Sequence, residues 1–338
     1  MHVTDSHVKD EATSTEDAAT PGAQDTRGSV ARVFAFLIER FPPVPQLVLM
    51  AVLFVAATLM SGVLLPESLT GELGDVNAFK AIAGFVGALL FIVRLRVYDD
   101  VKDADTDRIE NPTRPLPRGL VSVRELDVAG VVILVVEAAL IASVGSLTFI
   151  LWAIAAAWSV LMRVEFFVSE WLDRHVATFA ISHMVVMGLI YGALLAIGID
   201  ARGGDTTSID LLTEPVVLYA MLAATSIGIG FEWGRKFERY YETHGERAWT
   251  MWILWPSLGA IGFTAIVRDT YPISAVLTLV VISILTITAH GLVMTQRNRS
   301  GTVVPTGKLR EAVEAVPGAA GLLVYLVLAV AGVTELVN

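Results

Sequence analysis

The sequence contains no cysteine in 338 residues, which excludes disulfides, zinc–thiolate sites and a cysteine nucleophile but leaves the redox compartment open. Charge is scarce as well. Asp, Glu, Lys and Arg make up 17% of the chain, against about a quarter in soluble domains. Basic patches interleaved with aromatic residues are missing, which argues against a nucleic-acid partner. What the chain has in excess is apolar residues, at 54% with a mean hydropathy of +0.65. They fall in blocks of roughly the twenty residues needed to cross about 30 Å of hydrocarbon. The composition is that of a protein whose solvent is a lipid bilayer.

The net charge of −10 is concentrated away from these blocks. Residues 1–30 hold Asp5, Asp10, Glu11, Glu16, Asp17 and Asp25 against Lys9 and Arg27, among Ser, Thr and Ala. This reads as a disordered acidic tail, without the basic start and apolar core of a signal peptide. Residues 31–338 then form one membrane domain. Within it, residues 32–41 alternate apolar and basic positions at helical spacing and read as an interfacial helix.

The apolar blocks give nine expected spans, at about 44–65, 78–98, 124–144, 147–162, 175–198, 214–233, 249–267, 272–294 and 311–336. With the N-terminus in the cytoplasm, all but three of the 24 Lys and Arg residues fall on the inside, counting Arg94 with its loop. Only Lys80, Arg202 and Arg268 are left outside, where the loops are acidic. The positive-inside rule therefore predicts an all-α bundle with its N-terminus cytoplasmic and its C-terminus outside.

The chemistry is concentrated where the second span meets the cytoplasm. Asp100, Asp103 and Asp107 stand at i, i+3 and i+7, on one face of a helix that continues past the membrane, with Asp99 able to join them. Like charges stacked in this way destabilise a helix by a few tenths of a kcal/mol per pair, and a hard divalent cation removes the repulsion. Carboxylates without Cys or His suit Mg²⁺ shared with substrate phosphates. The bland reading, a solvated acidic loop, fits poorly with the helical spacing and the most basic loop of the chain. That loop carries Arg94, Arg96, Lys102, Arg108, Arg114, Arg118 and Arg124, and prolines flank Arg114 and Arg118. Arginine beside a carboxylate–metal cluster is what a diphosphate requires, and Arg96, Arg114 and Arg118 are the expected ligands.

Asp99-Asp100-x-x-Asp103-x-x-x-Asp107, followed by Arg114-Pro115-Leu116-x-x-Gly119, resembles the first signature of the UbiA superfamily of intramembrane prenyltransferases. That family has nine transmembrane helices around a cavity and carries this signature at the end of the second. Here Asp99 replaces the family's first Asn. The resemblance implies a Mg²⁺-dependent enzyme at the cytoplasmic face of the cell membrane. It would ionise an isoprenyl diphosphate to an allylic carbocation, which an aromatic or lipid-like acceptor captures. The family's second aspartate-rich motif, at the end of the sixth helix, is altered here. Glu232, Glu238 and Glu242 remain, among Arg235, Lys236 and Arg239. Either the glutamates hold the metal with a longer reach or the bases contact the diphosphate. Glu232 and Lys236 are expected at the chemistry, with Arg235 and Glu238 at the substrate.

Other residues are weighed on position. Arg163, with Glu165, follows the fourth span where the family has a loop helping to cover the site, and Arg163 is expected at the diphosphate. His183 reads as a membrane histidine bonded to a neighbouring helix. Glu137, deep in the third span, would sit at the acceptor or steady a cation. Trp152, Trp158, Phe166, Phe167, Tyr191, Trp249, Trp252 and Trp255 are interface anchors and packing, or a tunnel lining. The competing readings are a UbiA-like terpene cyclase, a transporter and a non-catalytic scaffold. Transporters place their charges near the midplane, whereas these gather at one face.

Overall fold

The computed structural model describes residues 28–41, 43–63 and 65–235, and beyond them 240–242, 245, 247, 248, 323, 325, 326 and 330. Most of the acidic tail, the seventh and eighth expected spans, all but four residues of the ninth, Lys236, Glu238, Trp249, Trp252 and Trp255 lie outside the described residues.

Every regular element described is helical. Six apolar helices occupy the six expected spans that are described: α2 (Pro43–Val63), α4 (Ala78–Lys102), α6 (Val123–Ala142), α7 (Ser146–Arg163), α9 (Val176–Asp200) and α11 (Pro215–Arg235). Short helices join them: α3 (Glu67–Thr70), α5 (Ala104–Glu110), α8 (Ser169–Arg174) and α10 (Ser208–Thr213). The amphipathic α1 (Ser29–Arg40) precedes them. Four helices (Ala78–Lys102, Val123–Val144, Ser146–Arg163 and Val176–Asp200) are long and apolar enough to cross a membrane. At 1.5 Å per residue, α4 is about 37 Å long.

Side-chain caps mark the starts of α4 and α6. Asn77 accepts a hydrogen bond from the Lys80 amide at the start of α4. Ser122 and Glu125 form a reciprocal capping box at α6. α7 begins after Gly145 with no local cap, and Asp200 at the end of α9 supplies one instead: its carboxylate accepts from Thr148 N at 2.8 Å and Thr148 Oγ1 at 2.7 Å.

α9 is the central helix, with α2, α4, α7 and α11 around it. Hydrophobic burial does not drive helix association inside lipid, so close backbone approach matters more. A Cβ at Gly188 would lie 2.6 Å from the Met221 carbonyl of α11, and one at Gly198 would lie 3.0 Å from Thr58 Cα of α2. Small residues at these two crossings let α9 lie against both neighbours.

A second, smaller apolar cluster sits at the end of the bundle that carries the aspartates. Phe36 of α1, Val97 of α4, Leu126 of α6, and Leu120 and Val121 of the loop before α6 bury one another there. This cluster fixes α1 and the proline-rich 111–122 segment against α4. Gly119, at φ +82°, makes the backward turn that brings Leu120 under the loop.

Candidate active site

A cavity of about 150 Å³ opens among α1, α4, α7, α9 and α11. Asp99, Asp100, Asp103 and Glu232 line it together with Arg40, Arg96, Lys102 and Arg114. Its remaining wall is largely apolar, from Leu95, Met162, Phe179, Met184, Val186 and Met187, with His183 beside Phe179. Four carboxylates and four cations thus face one apolar recess.

The acids come together because α4 runs four residues past its expected end. Asp99 and Asp100 belong to its last turn, and the Asp103 amide donates to the Asp99 carbonyl at 2.9 Å. Asp100 is buried; Arg40 Nε donates to both its oxygens at 3.0 and 3.2 Å, and Arg40 Nη2 and Arg96 Nε lie within ion-pair distance at 2.8 and 3.2 Å. Two guanidiniums compensate a buried carboxylate, as burial of a charge requires. Asp103 stays half exposed, with Lys102 Nζ 3.8 Å away. Lys102 also lies 4.0 Å from Glu165 and over the Phe179 ring at 5.2 Å.

Asp107 is buried but does not line the cavity. Arg114 Nη1 donates to both its oxygens at 2.5 and 2.6 Å, and Asn111 adds a bond at 3.0 Å. Arg114 therefore links Asp107 to the cavity wall. Glu232 is buried on α11 at the cavity's far side. The Arg235 side chain, Lys236 and Glu238 lie outside the description.

Two expected substrate ligands are engaged elsewhere. Arg118 holds Glu39 of α1 with both nitrogens, at 2.7 and 2.6 Å, and this guanidinium keeps the Glu39 carboxyl below the usual carboxylate range. Arg163 pairs with Asp127 and lies over the Tyr98 ring at 5.2 Å. Neither lines the cavity. Both cations hold neighbouring elements in place around it.

Arg94 is not a loop charge. It is wholly buried in α4 and donates to both oxygens of Glu137, at 2.8 and 3.0 Å, and to Ser159 Oγ at 2.8 Å. Glu137 also accepts from Trp152 Nε1 at 3.3 Å. The acid assigned to an acceptor or a cation is instead the partner of an arginine. His183 Nδ1 lies 2.9 Å from the Phe179 carbonyl one turn earlier in its own helix. Its ring stacks on Phe179 at 4.0 Å and meets Phe166 edge-on at 5.9 Å.

Sequence reasoning missed Arg40 and gave Lys102 no specific role. Arg40 ends an amphipathic helix 60 residues before Asp100, and no spacing rule connects them. Lys102 follows the aspartate pair directly, so its helical register was the available signal.

Among the described residues no three acidic or histidine side chains converge on one point. Mg²⁺ does not require that, since it keeps several waters and takes one or two carboxylates together with phosphate oxygens. With Asp99, Asp100, Asp103 and Glu232 on one cavity, the residues present fit such an ion.

No family model and no curated protein matches the sequence. Solved structures match the fold. A UbiA homologue from Aeropyrum pernix K1 is similar over 85% of this chain and 97% of its own, at TM-score 0.60 and 15% identity. A UbiA homologue from Archaeoglobus fulgidus, bound to GPP and Mg²⁺, is similar over 88% and 98%, at TM-score 0.57 and 13% identity. A digeranylgeranylglyceryl phosphate synthase is similar over 90% and 99%, at TM-score 0.56 and 15% identity. The fold of this chain is the UbiA fold.

Proposed function

We propose that this chain is a divergent UbiA-type intramembrane prenyltransferase, moving an isoprenyl group from an isoprenyl diphosphate to an aromatic or lipid-like acceptor. The observation that carries this reading is the meeting of four carboxylates, four cations and an apolar wall in one cavity. The Archaeoglobus fulgidus homologue has been solved with GPP and Mg²⁺ and with DMAPP and Mg²⁺, which supports the same substrate class here. On this reading the chain has nine spans in the cell membrane, its N-terminus cytoplasmic and its cavity open to that side.

Arg40, Arg96, Lys102 and Arg114 receive the diphosphate, and the guanidiniums on Asp100 exchange a carboxylate for phosphate oxygens. Arg235, Lys236 and Glu238 are proposed as further contacts of this group on the strength of the sequence motif alone. Asp99, Asp100, Asp103 and Glu232 would hold Mg²⁺, which neutralises charge on the departing diphosphate. The isoprenyl chain lies against Met162, Phe179, Met184 and Met187. Breaking the allylic C–O bond sends its electron pair out with the diphosphate and leaves an allylic cation, which the Phe179 ring faces. The acceptor's nucleophilic atom forms the new bond and releases a proton. Dry apolar walls keep water from capturing the cation first.

The test is product analysis. Purified protein is incubated with Mg²⁺ and isoprenyl diphosphates of several chain lengths, with and without a panel of phenolic and lipid-alcohol acceptors. Diphosphate release coupled to a prenylated acceptor is expected. A cyclic hydrocarbon or alcohol formed without acceptor would make the chain a terpene cyclase, and no diphosphate release with any donor would end the enzyme reading.

A further inference from the structure

Away from the aspartate cavity, a groove of about 920 Å³ lies between the start of α1 and the start of α6. Its rim is polar, with Ser29, Arg32, Ser122 and Arg124. Its walls are apolar, with Val30 and Val33 on one side and Val128 and Val132 on the other. Val30, Val128 and Val132 are exposed, and the apolar face continues down α6 through Val131, Val135 and Val136. α6 is one of the helices long and apolar enough to cross a membrane, so lipid is the medium adjoining this face.

The charges of the rim do not cancel. Arg32 is paired with Glu125, the only acid among the described residues that line the groove. Arg124 has no carboxylate partner among the described residues. The described residues of the rim therefore carry one net positive charge at the level where the apolar wall begins. A phosphodiester carries the matching negative charge, and acyl chains match the valine wall. Free phosphate would have no use for such a wall, and a soluble peptide would have to displace lipid from α6.

We infer that this groove binds an anionic glycerophospholipid, its phosphate at Arg124 and the α1–α6 rim and its chains along Val128 and Val132. The site is separate from the aspartate cavity and does not rest on the enzyme reading. It also explains why α1 is held so firmly beside α6: the Arg32–Glu125 pair and the buried Phe36 keep the second wall in place.

The full chain, purified and exchanged into nanodiscs of phosphatidylglycerol mixed equally with phosphatidylcholine, is released from the discs and weighed by native mass spectrometry. One retained phosphatidylglycerol in preference to phosphatidylcholine is expected. Arg124→Gln should cut that preference about fivefold, the effect of one basic residue near an anionic surface. Ala129→Phe, which fills the groove, should lower retention of both lipids. A photo-crosslinking residue at Val132 reads the occupant directly, with a lipid adduct expected. Equal retention of the two lipids, or retention unchanged in both variants, would overturn the proposal. So would a crosslink to residues 1–27 or to a second copy of the chain.

Discussion

Arg94 and Glu137 form a two-pronged ion pair between α4 and α6, with both side chains fully shielded from solvent. Phe91 and Tyr98, one turn to either side, place their rings 4.7 and 5.1 Å from the guanidinium. The pair fixes α4 against α6 six residues before Asp100. Removing one partner leaves an uncompensated buried charge, at a cost of about 3–5 kcal/mol. Arg94→Met and Glu137→Leu should each lower the melting temperature sharply, while the double substitution recovers much of the loss. Thermal unfolding in detergent reads all three. A double variant no more stable than the singles would show that the charges do not act as a pair.

Asp103 separates chemistry from folding. Its side chain is half exposed and carries no strong ion pair, so Asp103→Asn should change stability by no more than about 0.5 kcal/mol. Diphosphate release should nevertheless fall by about a hundredfold or more, the scale seen when a group stabilising transition-state charge is removed. Turnover close to wild type in a fully folded variant would remove Asp103 from the site.

Arg118 ties the proline-rich segment to α1 through Glu39, and that tie should depend on pH. The pair holds the Glu39 carboxyl below its ordinary value, so its contribution is fully present above the unfolded pKa, about 4.3. It is lost as pH falls through the lowered folded value. Hydrogen-exchange protection of α1 should hold from neutral pH down to that range and then decline. Arg118→Gln should flatten this dependence, and an unchanged pH profile in the variant would exclude the tie.

Glu165, Phe166 and Phe167 between α7 and α8 all have positive φ, at 46°, 54° and 62°. Side chains with a Cβ are strained there by about 1–2 kcal/mol each. Phe167 is mostly exposed, so its ring has little packing to lose. Phe167→Gly should therefore raise stability by about 1 kcal/mol, read as a higher melting temperature. A decrease would mean that the exposed ring contributes more than the backbone strain costs.

Much of this fold was legible because hydrocarbon imposes long apolar runs. The runs at 78–98 and 175–198 became α4 and α9 with their starts correct to one residue. The ends were harder to read: α4 continues through Asp99 and Asp100 because helical hydrogen bonding does not stop where apolar character does. Helical spacing singled out Asp100, Asp103 and Asp107, with Asp99 able to join; Asp99, Asp100 and Asp103 line one cavity with Glu232, whereas Asp107 turns to Arg114. The arginines could not be sorted in the same way. Arg94, Arg118 and Arg163 chose Glu137, Glu39 and Asp127, which lie 43, 79 and 36 residues away. Arg40 reached Asp100 across 60 residues. A charge's partner is set by tertiary geometry, and local pattern carries no record of it.

Asp200 sits at the end of the bundle farthest from the aspartates. Its carboxylate caps α7, and its carbonyl accepts Lys80 Nζ of α4 at 3.0 Å. The next residue's carbonyl takes the Asn77 amide at 2.8 Å, just before α4 begins. Three helices are thereby knotted together at one tip. At the other tip the same three helices border the cavity, joined there mainly by side chains. One carboxylate and two adjacent carbonyls thus act as a clasp, gathering the ends of α4, α7 and α9 away from the cavity.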